Sequence, residues 1–359
     1  MDEKKDVRDI QQTIIGNTPI KEKASEEEFF NVIRIVAPGT NMRTALDGVL
    51  KAGKGALIAV ESDWLPQMCD GGFRLNSKFT PQKLIELSKM DGAIVLSRDM
   101  KRILSANVLL TPDSKTPTNE TGTRHKSGER AARQAGTLVI AVSERRNEIT
   151  LYYKNIRYHL ADSKELLRKA NEHIQMLEKQ RELFDRAVTK LTQFELRNYP
   201  SLSKAIHVIQ KGITIQKISA DLKKYIVELG KEGTLLKTRL KEIISDVEKE
   251  TDLVIKDYTK LDLKKSKPLL HDLSYEDLLD KGNIWTIMGY ESLVQTEPIK
   301  GWRILSKTNM LEQDIAAIVR AAGSLGKAIY SNIEFHKNII GEEKSKAFKE
   351  EIENLKMNF

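Results

Sequence analysis

Two rhythms of apolar residues divide the chain. From Phe29 to about Tyr158, short branched runs alternate with amphipathic stretches. Residues 55–60, 93–96, 106–110, 137–142 and 149–153 are too short and too β-branched for buried helices, so the pattern predicts strands there. Residues 29–35 and 81–89 carry helical spacing, and Pro81 suits a first helical position. Strands alternating with helices predict an α/β domain. Residues 111–121 are rich in Pro, Ser, Thr and Asn and predict an irregular, exposed loop.

From about Asp162 the period lengthens. Leu167, Ala170, Ile174, Leu177, Phe184, Val188 and Leu191 fall at steps of three and four, with Arg181 interrupting the seam. Leu236, Leu240, Ile243, Val247 and Val254 continue the habit, which predicts long helices in a bundle or spine. Their apolar faces serve either packing within the chain or a partner. Lys264-Lys265-Ser266-Lys267-Pro268 reads as a hinge or an exposed corner, and the chain from Asn283 reads as helices punctuated by glycine. The resulting division is a charged arm over 1–28, an α/β domain over 29–158, a helical spine over 159–282 and a last helical domain over 283–359.

Composition narrows the class. With 359 residues the chain suits two or three domains rather than one core. A single cysteine, Cys69, leaves no intramolecular disulfide and fits a reducing compartment. No apolar run reaches membrane-spanning length, and Met1-Asp2-Glu3-Lys4 lacks a signal-peptide core, so the cytoplasm is the expected location and no membrane partner is expected. Six histidines without paired ligand spacing argue against structural zinc. The net charge of +8 invites a nucleic-acid reading, but residues 283–359 carry ten Lys and Arg against ten Asp and Glu, so the surplus lies in the first two regions.

Candidate chemistry concentrates in Thr121-Gly122-Thr123-Arg124-His125-Lys126-Ser127-Gly128-Glu129-Arg130. Small residues let backbone N–H groups approach a polyphosphate, and Arg124, His125 and Lys126 supply charge. Residues 129–135 form helix well, and Gly136 can end it, so a phosphate would lie at a helix N-terminus. Alone, the same run also describes a solvated basic turn. A second segment, Asp91-Gly92-Ala93-Ile94-Val95-Leu96, sets one carboxylate at the mouth of a strand. That position suits metal binding or deprotonation of a hydroxyl, and equally an Asp-Gly turn.

Together, Asp91-Gly92-Ala93 and Gly122-Thr123-Arg124-His125-Lys126, with Ala106-Asn107-Val108 between them, resemble the paired signatures of the diadenylate cyclase family. Gly39-Thr40, Leu46-Asp47, Gly53-Lys54-Gly55, Gly71-Gly72-Phe73, Ala141-Val142-Ser143 and Ile149-Thr150-Leu151-Tyr152-Tyr153 are similar to further landmarks of its catalytic domain. Tyr225-Ile226-Val227-Glu228-Leu229-Gly230 resembles the middle region of those members that also scan DNA. The usual Arg-His-Arg of the signature ends here in Lys126, which keeps the charge and loses the bidentate fork.

The resemblance implies a multidomain α/β plus all-α protein: a cyclase domain with a mixed sheet, a helical spine and a C-terminal helix-hairpin-helix domain. It implies condensation of two ATP into cyclic di-AMP and two pyrophosphates across two facing cyclase domains, with Mg²⁺ or Mn²⁺ and a homo-oligomer, an octamer of facing tetramers. Asp91, Arg124 and His125 would then be catalytic, with Asp91 also the metal ligand. Gly92 and Leu110 would border the adenine. Gly122, Thr123, Lys126, Ser127, Ser143 and Arg146 would complete the nucleotide site. Branched DNA such as a Holliday junction is the implied partner of the last domain. Its two hairpins depart from the family pattern, reading Thr308-Asn309-Met310-Leu311-Glu312 and Asn338-Ile339-Ile340-Gly341-Glu342-Glu343. They lack part of the Gly or Pro turn that presents N–H groups to a phosphate, so weak binding is expected. Two other readings stay open: a non-catalytic, nucleotide-responsive sensor of DNA structure, and a nucleotide hydrolase.

Overall fold

A computed structural model describes residues 24–292 and 298–358; most of the expected N-terminal arm, residues 1–23, lies outside the described residues. Two compact units emerge. The first holds the chain up to Ala170 together with Lys223–Leu235, and the second holds Asn171–Leu222 and Leu236 onward.

The first unit is built on a mixed sheet ordered β2-β5-β4-β1-β6-β7-β8, with β3 paired to β5. Its strands are β1 (Ala56–Val60), β2 (Cys69–Asp70), β3 (Phe73–Lys78), β4 (Ala93–Leu96), β5 (Arg102–Leu110), β6 (Leu138–Ser143), β7 (Glu148–Tyr153) and β8 (Ile156–Leu160). Only β1 and β4 run parallel, with Leu57 opposite Ala93, while β1 meets β6 antiparallel, with Ala56 opposite Val142. Every residue of β1 is buried because both faces are covered. Ala56, Ile58 and Val60 join a core with α1 (Glu26–Val36), α2 (Asn41–Lys51) and α3 (Pro81–Leu87). Leu57 and Ala59 point the other way, onto Ala131, Ala132 and Ala135 of α4 (Thr123–Ala135). Those alanines let the helix lie close. A Cβ at Gly128 would come within 3.0 Å of Leu57 Cδ1. The period of two therefore decides which side chains face α4.

Boundaries moved where local chemistry outweighed pattern. β5 starts at Arg102, four residues before the expected strand, because its hairpin with β3 extends beyond the apolar run. β3 itself escapes the period rule since nearly all its residues are exposed. Residues 111–122 are irregular, as expected, yet strapped to α4. Arg130 Nε donates to the Thr116 carbonyl at 2.9 Å, and Arg133 Nη1 donates to that of Pro117 at 3.0 Å.

Segment Tyr225–Gly230 returns to this unit. Glu228 accepts the Ala161 N–H at 3.1 Å and the Tyr158 hydroxyl. Gly230 adopts φ +53°, and a Cβ there would stand 2.8 Å from Ala37 Cβ. Only glycine fits both demands.

Long helices α5 (Ser163–Leu196) and α6 (Leu202–Leu229) carry the chain from one unit into the other and back. The second unit is helical throughout its described residues. It contains α7 (Thr234–Ile244), α8 (Val247–Tyr258), α9 (Leu263–Asp272), α10 (Tyr275–Leu279), α11 (Lys281–Ile287), α12 (Trp302–Leu305), α13 (Glu312–Ala322), α14 (Leu325–Tyr330), α15 (Ile333–Ile340) and α16 (Glu342–Asn358). Ala170, Ile174, Leu177, Phe184 and Leu191 of the expected seam are buried, but Leu166 replaces Leu167. Arg181, which breaks the seam, caps α7 by donating to the carbonyls of Ile243 and Ser245 at 2.8 and 2.6 Å.

One expectation fails in part: Lys264, Lys265 and Pro268 are exposed as expected, but they form neither a hinge nor a corner. Lys264–Pro268 is part of α9, with Pro268 inside the helix. Ser266 is fully buried against Thr259, and Lys267 pairs with Glu248 and Asp252. The lysine stems carry the polar face of a helix whose Leu270 is buried.

A buried polar knot ties α12 to the helices before it. The Asp257 carboxylate accepts the N–H groups of Gly301, Trp302 and Arg303 at 3.0, 2.8 and 2.8 Å, covering the orphan donors of α12. The Arg303 guanidinium is wholly buried. It donates to Glu195, to Thr192 Oγ1 at 3.0 Å and to Glu250 at 2.6 Å. Burial works against its charge, but Glu195 and Glu250 more than offset that and keep the guanidinium charged.

Candidate functional site

Sheet register gathers the two sequence signatures at one edge. Because β4 parallels β1 and β6 opposes it, the start of β1, the start of β4 and the end of β6 lie together. Asp91-Gly92, Gly55 and Ser143 therefore share that edge. With strands about 4.8 Å apart, Asp91 and Ser143 stand roughly 10 Å apart across β1. Leu110 ends β5 at the same edge, since Ala93 pairs with Val108.

The turn at Gly92 depends on glycine. Its φ is +88°, and a Cβ would fall 2.8 Å from the carbonyl carbon of Asn107, itself at φ +54°. That close approach sets Asp91 in an exposed bend at the strand mouth. Leu110 is buried in the core with Leu57 and Leu65, so it forms a wall rather than an open contact.

The basic run differs from expectation in one respect. The helix begins at Thr123, six residues earlier than its strong helix formers suggested. Gly122 is the N-cap, in extended conformation and without a side-chain cap, and the first turn holds no acid. Thr123, Arg124, His125 and Lys126 are thus the opening turn of α4. Uncapped N–H groups there, and the positive end of the dipole, suit an anion. Gly136 ends the helix at φ +58°, as expected.

Side chains of this turn diverge. Arg124 folds across the sheet edge, and a Cβ on Gly55 would meet its Nη1 at 2.0 Å. Lys126 and Ser127 are half-exposed, and Thr123 is exposed. Ser143 Oγ accepts the Arg146 N–H at 3.3 Å, holding the β6–β7 turn that carries the exposed Arg146.

His125 turns inward and is only 7% exposed. Its Nδ1 lies 2.9 Å from the Tyr152 hydroxyl, which donates to Glu120 at 2.6 Å, and Arg157 pairs with the same carboxylate at 2.8 Å. The other ring nitrogen, Nε2, is buried and finds no hydrogen-bond partner among the described residues. Burial holds this imidazole below its ordinary pKa. Glu120 opposes that shift, while Arg146, Arg124 and Arg157 reinforce it. Glu120 and Arg157 carried no visible motif, and Tyr152 stood in a family landmark that assigned it no role. The available signal was the period of two in β7, which aims Tyr152 at α4.

Among the described residues no group of three or more His, Cys, Asp or Glu could hold a metal. None of their helices is long and apolar enough to cross a membrane.

Two family models match. That of the DisA bacterial checkpoint controller nucleotide-binding region covers residues 43–156, and that of its linker region covers residues 160–297. The chain is 36% identical over 340 residues to the DNA integrity scanning protein DisA of Clostridium botulinum, covering 92% of this chain and 96% of that protein. The DisA proteins of Bacillus subtilis and Bacillus pumilus are each 38% identical, over 92% and 93% of this chain and 94% and 96% of their own lengths.

Proposed function

The chain belongs to the DisA family, and on that premise we propose that it is a diadenylate cyclase, condensing two ATP into cyclic di-AMP and two pyrophosphates. The observation that carries this reading is the shared edge. One exposed carboxylate, Asp91, stands across β1 from an uncapped helix N-terminus that bears Arg124, His125 and Lys126. A phosphate cradle alone would serve mere binding. A carboxylate at its mouth adds a group able to assist loss of a 3′ proton. Arg124, Lys126, Thr123, Gly122 and Ser127 hold the polyphosphate, Ser143 and Arg146 close its far side, and Gly92 with the Leu110 wall borders the base. The remaining task is positioning two nucleotides in line.

A resident metal centre does not fit this site, because no cluster of ligands accompanies Asp91 among the described residues. A Mg²⁺ or Mn²⁺ ion that arrives with the triphosphate does fit, since phosphate oxygens fill most of its coordination. Such an ion supplies neutralisation of phosphate charge, and Asp91 is the residue that would hold it.

Each domain binds one nucleotide in this scheme, so two must face each other within a homo-oligomer, which we read as an octamer in the cytoplasm. Specific activity should therefore fall as the protein is diluted below its dimerisation constant. A monomer by light scattering that keeps full specific activity would contradict the facing arrangement.

We read residues 1–28 as an arm, 29–158 as the cyclase domain, 159–282 as the spine and 283–359 as a helix-hairpin-helix-like domain for branched DNA. Local contacts point to weak binding. The Asn309 N–H, in the first hairpin turn, already donates to Glu351 at 2.7 Å, with Asn309 Nδ2 on the same carboxylate at 3.0 Å. Lys307 pairs with Glu250 at 3.3 Å. The second turn leads into Glu342 and Glu343 at the start of α16, where acids oppose a phosphate. At physiological salt, Holliday-junction affinity should be micromolar at best and shallow in salt dependence. Glu351→Ala frees the turn and should tighten binding about tenfold, one charge-assisted contact being regained. Low-nanomolar binding by the wild type, lost on deleting residues 283–359, would overturn this account of the hairpins.

A further inference from the structure

The Glu120–Tyr152–His125 chain has a direction that hydrogen-bond chemistry fixes. An ionised carboxylate only accepts, so the Tyr152 hydroxyl spends its proton on Glu120, to which Arg157 Nε also donates. The Tyr152 oxygen must then receive Nδ1–H from His125, and Nε2 is left as a bare lone pair. Burial first, then its bond to Glu120, pushes the Tyr152 phenol far above its ordinary pKa, so its proton stays in place.

The ring that carries this lone pair abuts the N-cap of the phosphate cradle. A Cβ on the N-cap Gly122 would stand 3.8 Å from His125 Cδ2, the ring atom bonded to Nε2. Nε2 is buried and without a partner among the described residues. A polyphosphate at this helix N-terminus brings acceptors only, so a bare Nε2 would repel it. The groups acting on the ring are Glu120 behind Tyr152 and the cations Arg124, Arg146 and Arg157. Polyphosphate neutralises the cations that oppose an imidazolium. Glu120, reached through the Tyr152 hydroxyl, stabilises positive charge at Nδ1, as a carboxylate does behind a catalytic histidine.

We propose that Glu120 and Tyr152 are positioning residues that hold His125 as the Nδ1–H tautomer, so that binding of a nucleoside triphosphate is coupled to uptake of one proton at Nε2. The proton comes from the buffer, converts Nε2 from acceptor to donor, and returns to solvent when the polyphosphate leaves. The proposal rests on reading the α4 N-terminus as the triphosphate cradle. The sign follows from linkage. The free imidazole sits below its ordinary value and the bound one above it, so nucleotide affinity falls as pH rises through the bound-state value.

The test is calorimetric titration of the full-length protein with 3′-deoxy-ATP and Mg²⁺, a ligand that cannot condense. Repeating it near neutral pH in two buffers of different ionisation enthalpy reads the protons exchanged. Wild type should take up close to one proton per site, and its affinity should fall with pH. Tyr152→Phe keeps the ring but removes the Nδ1 acceptor, so it should lose the uptake and bind roughly tenfold more weakly with a flat pH profile. Glu120→Gln keeps an acceptor but not the charge and should reduce the uptake. Wild-type binding with no proton exchanged overturns the proposal and leaves the cradle standing; so does full uptake in Tyr152→Phe. Absence of triphosphate binding by wild type, or binding indifferent to Arg124→Ala, overturns the cradle reading itself. The wild-type titration decides the matter even if a variant fails to fold.

Discussion

Asp91→Asn should lower cyclic di-AMP formation by roughly a hundred- to ten-thousand-fold, the span a positioned general base or its equivalent contributes. ATP binding should survive, because the cradle of Arg124 and Lys126 lies across β1 from the substitution. Asp91 is exposed and Asn suits the same bend before Gly92, so the fold should be nearly unaffected. The loss would therefore appear in kcat with little change in nucleotide affinity, a pattern that marks an interaction made in the transition state. Initial rates by product chromatography, alongside direct nucleotide binding, check it. Near-wild-type turnover would remove Asp91 from the chemistry.

Arg303→Met should have the largest effect on stability. The substitution removes the guanidinium from a pocket where Glu195 is wholly buried and also accepts the Tyr258 hydroxyl at 2.9 Å. Leaving a buried carboxylate without its cation typically costs about 3–5 kcal/mol. Trp285 and Trp302 report on this unit, and Trp302 carries Lys256 over its ring at 3.2 Å. The urea midpoint of their fluorescence change should fall by roughly 1–3 M at ordinary m-values. An unchanged midpoint would mean the knot contributes no net stability. Arg303→Lys should recover little, since a point charge cannot serve Glu195, Glu250 and Thr192 together.

Much of the first unit was legible because both sheet faces are covered. A strand buried on both sides must be short, branched and apolar, and β1 and β4 lie within a residue of where that rule puts them. The rule is silent where a strand is exposed, as in β3, or where it continues past its apolar part, as in β5. The candidate site was legible as motif but not as geometry. Arg124, His125 and Lys126 read as one cationic cluster, yet the helical turn sends Arg124 over Gly55 and His125 inward to Tyr152. Composition cannot separate those fates, because they depend on which face of the helix meets the sheet. Glu120 was hidden for another reason. It lies in an irregular segment that composition marks as exposed, and it is buried only because Tyr152 and Arg157 from neighbouring strands claim its carboxylate. Lys264–Pro268 misled by its charge, since lysines also cover the polar face of a packed helix.

The facing-domain chemistry is tested most directly by the identity of the product. Purified full-length protein incubated with ATP and Mn²⁺ should yield cyclic di-AMP, with two pyrophosphates released for each molecule formed, separated by thin-layer chromatography. Release of ADP or AMP without a cyclic dinucleotide, or binding of ATP with no turnover, would contradict the account.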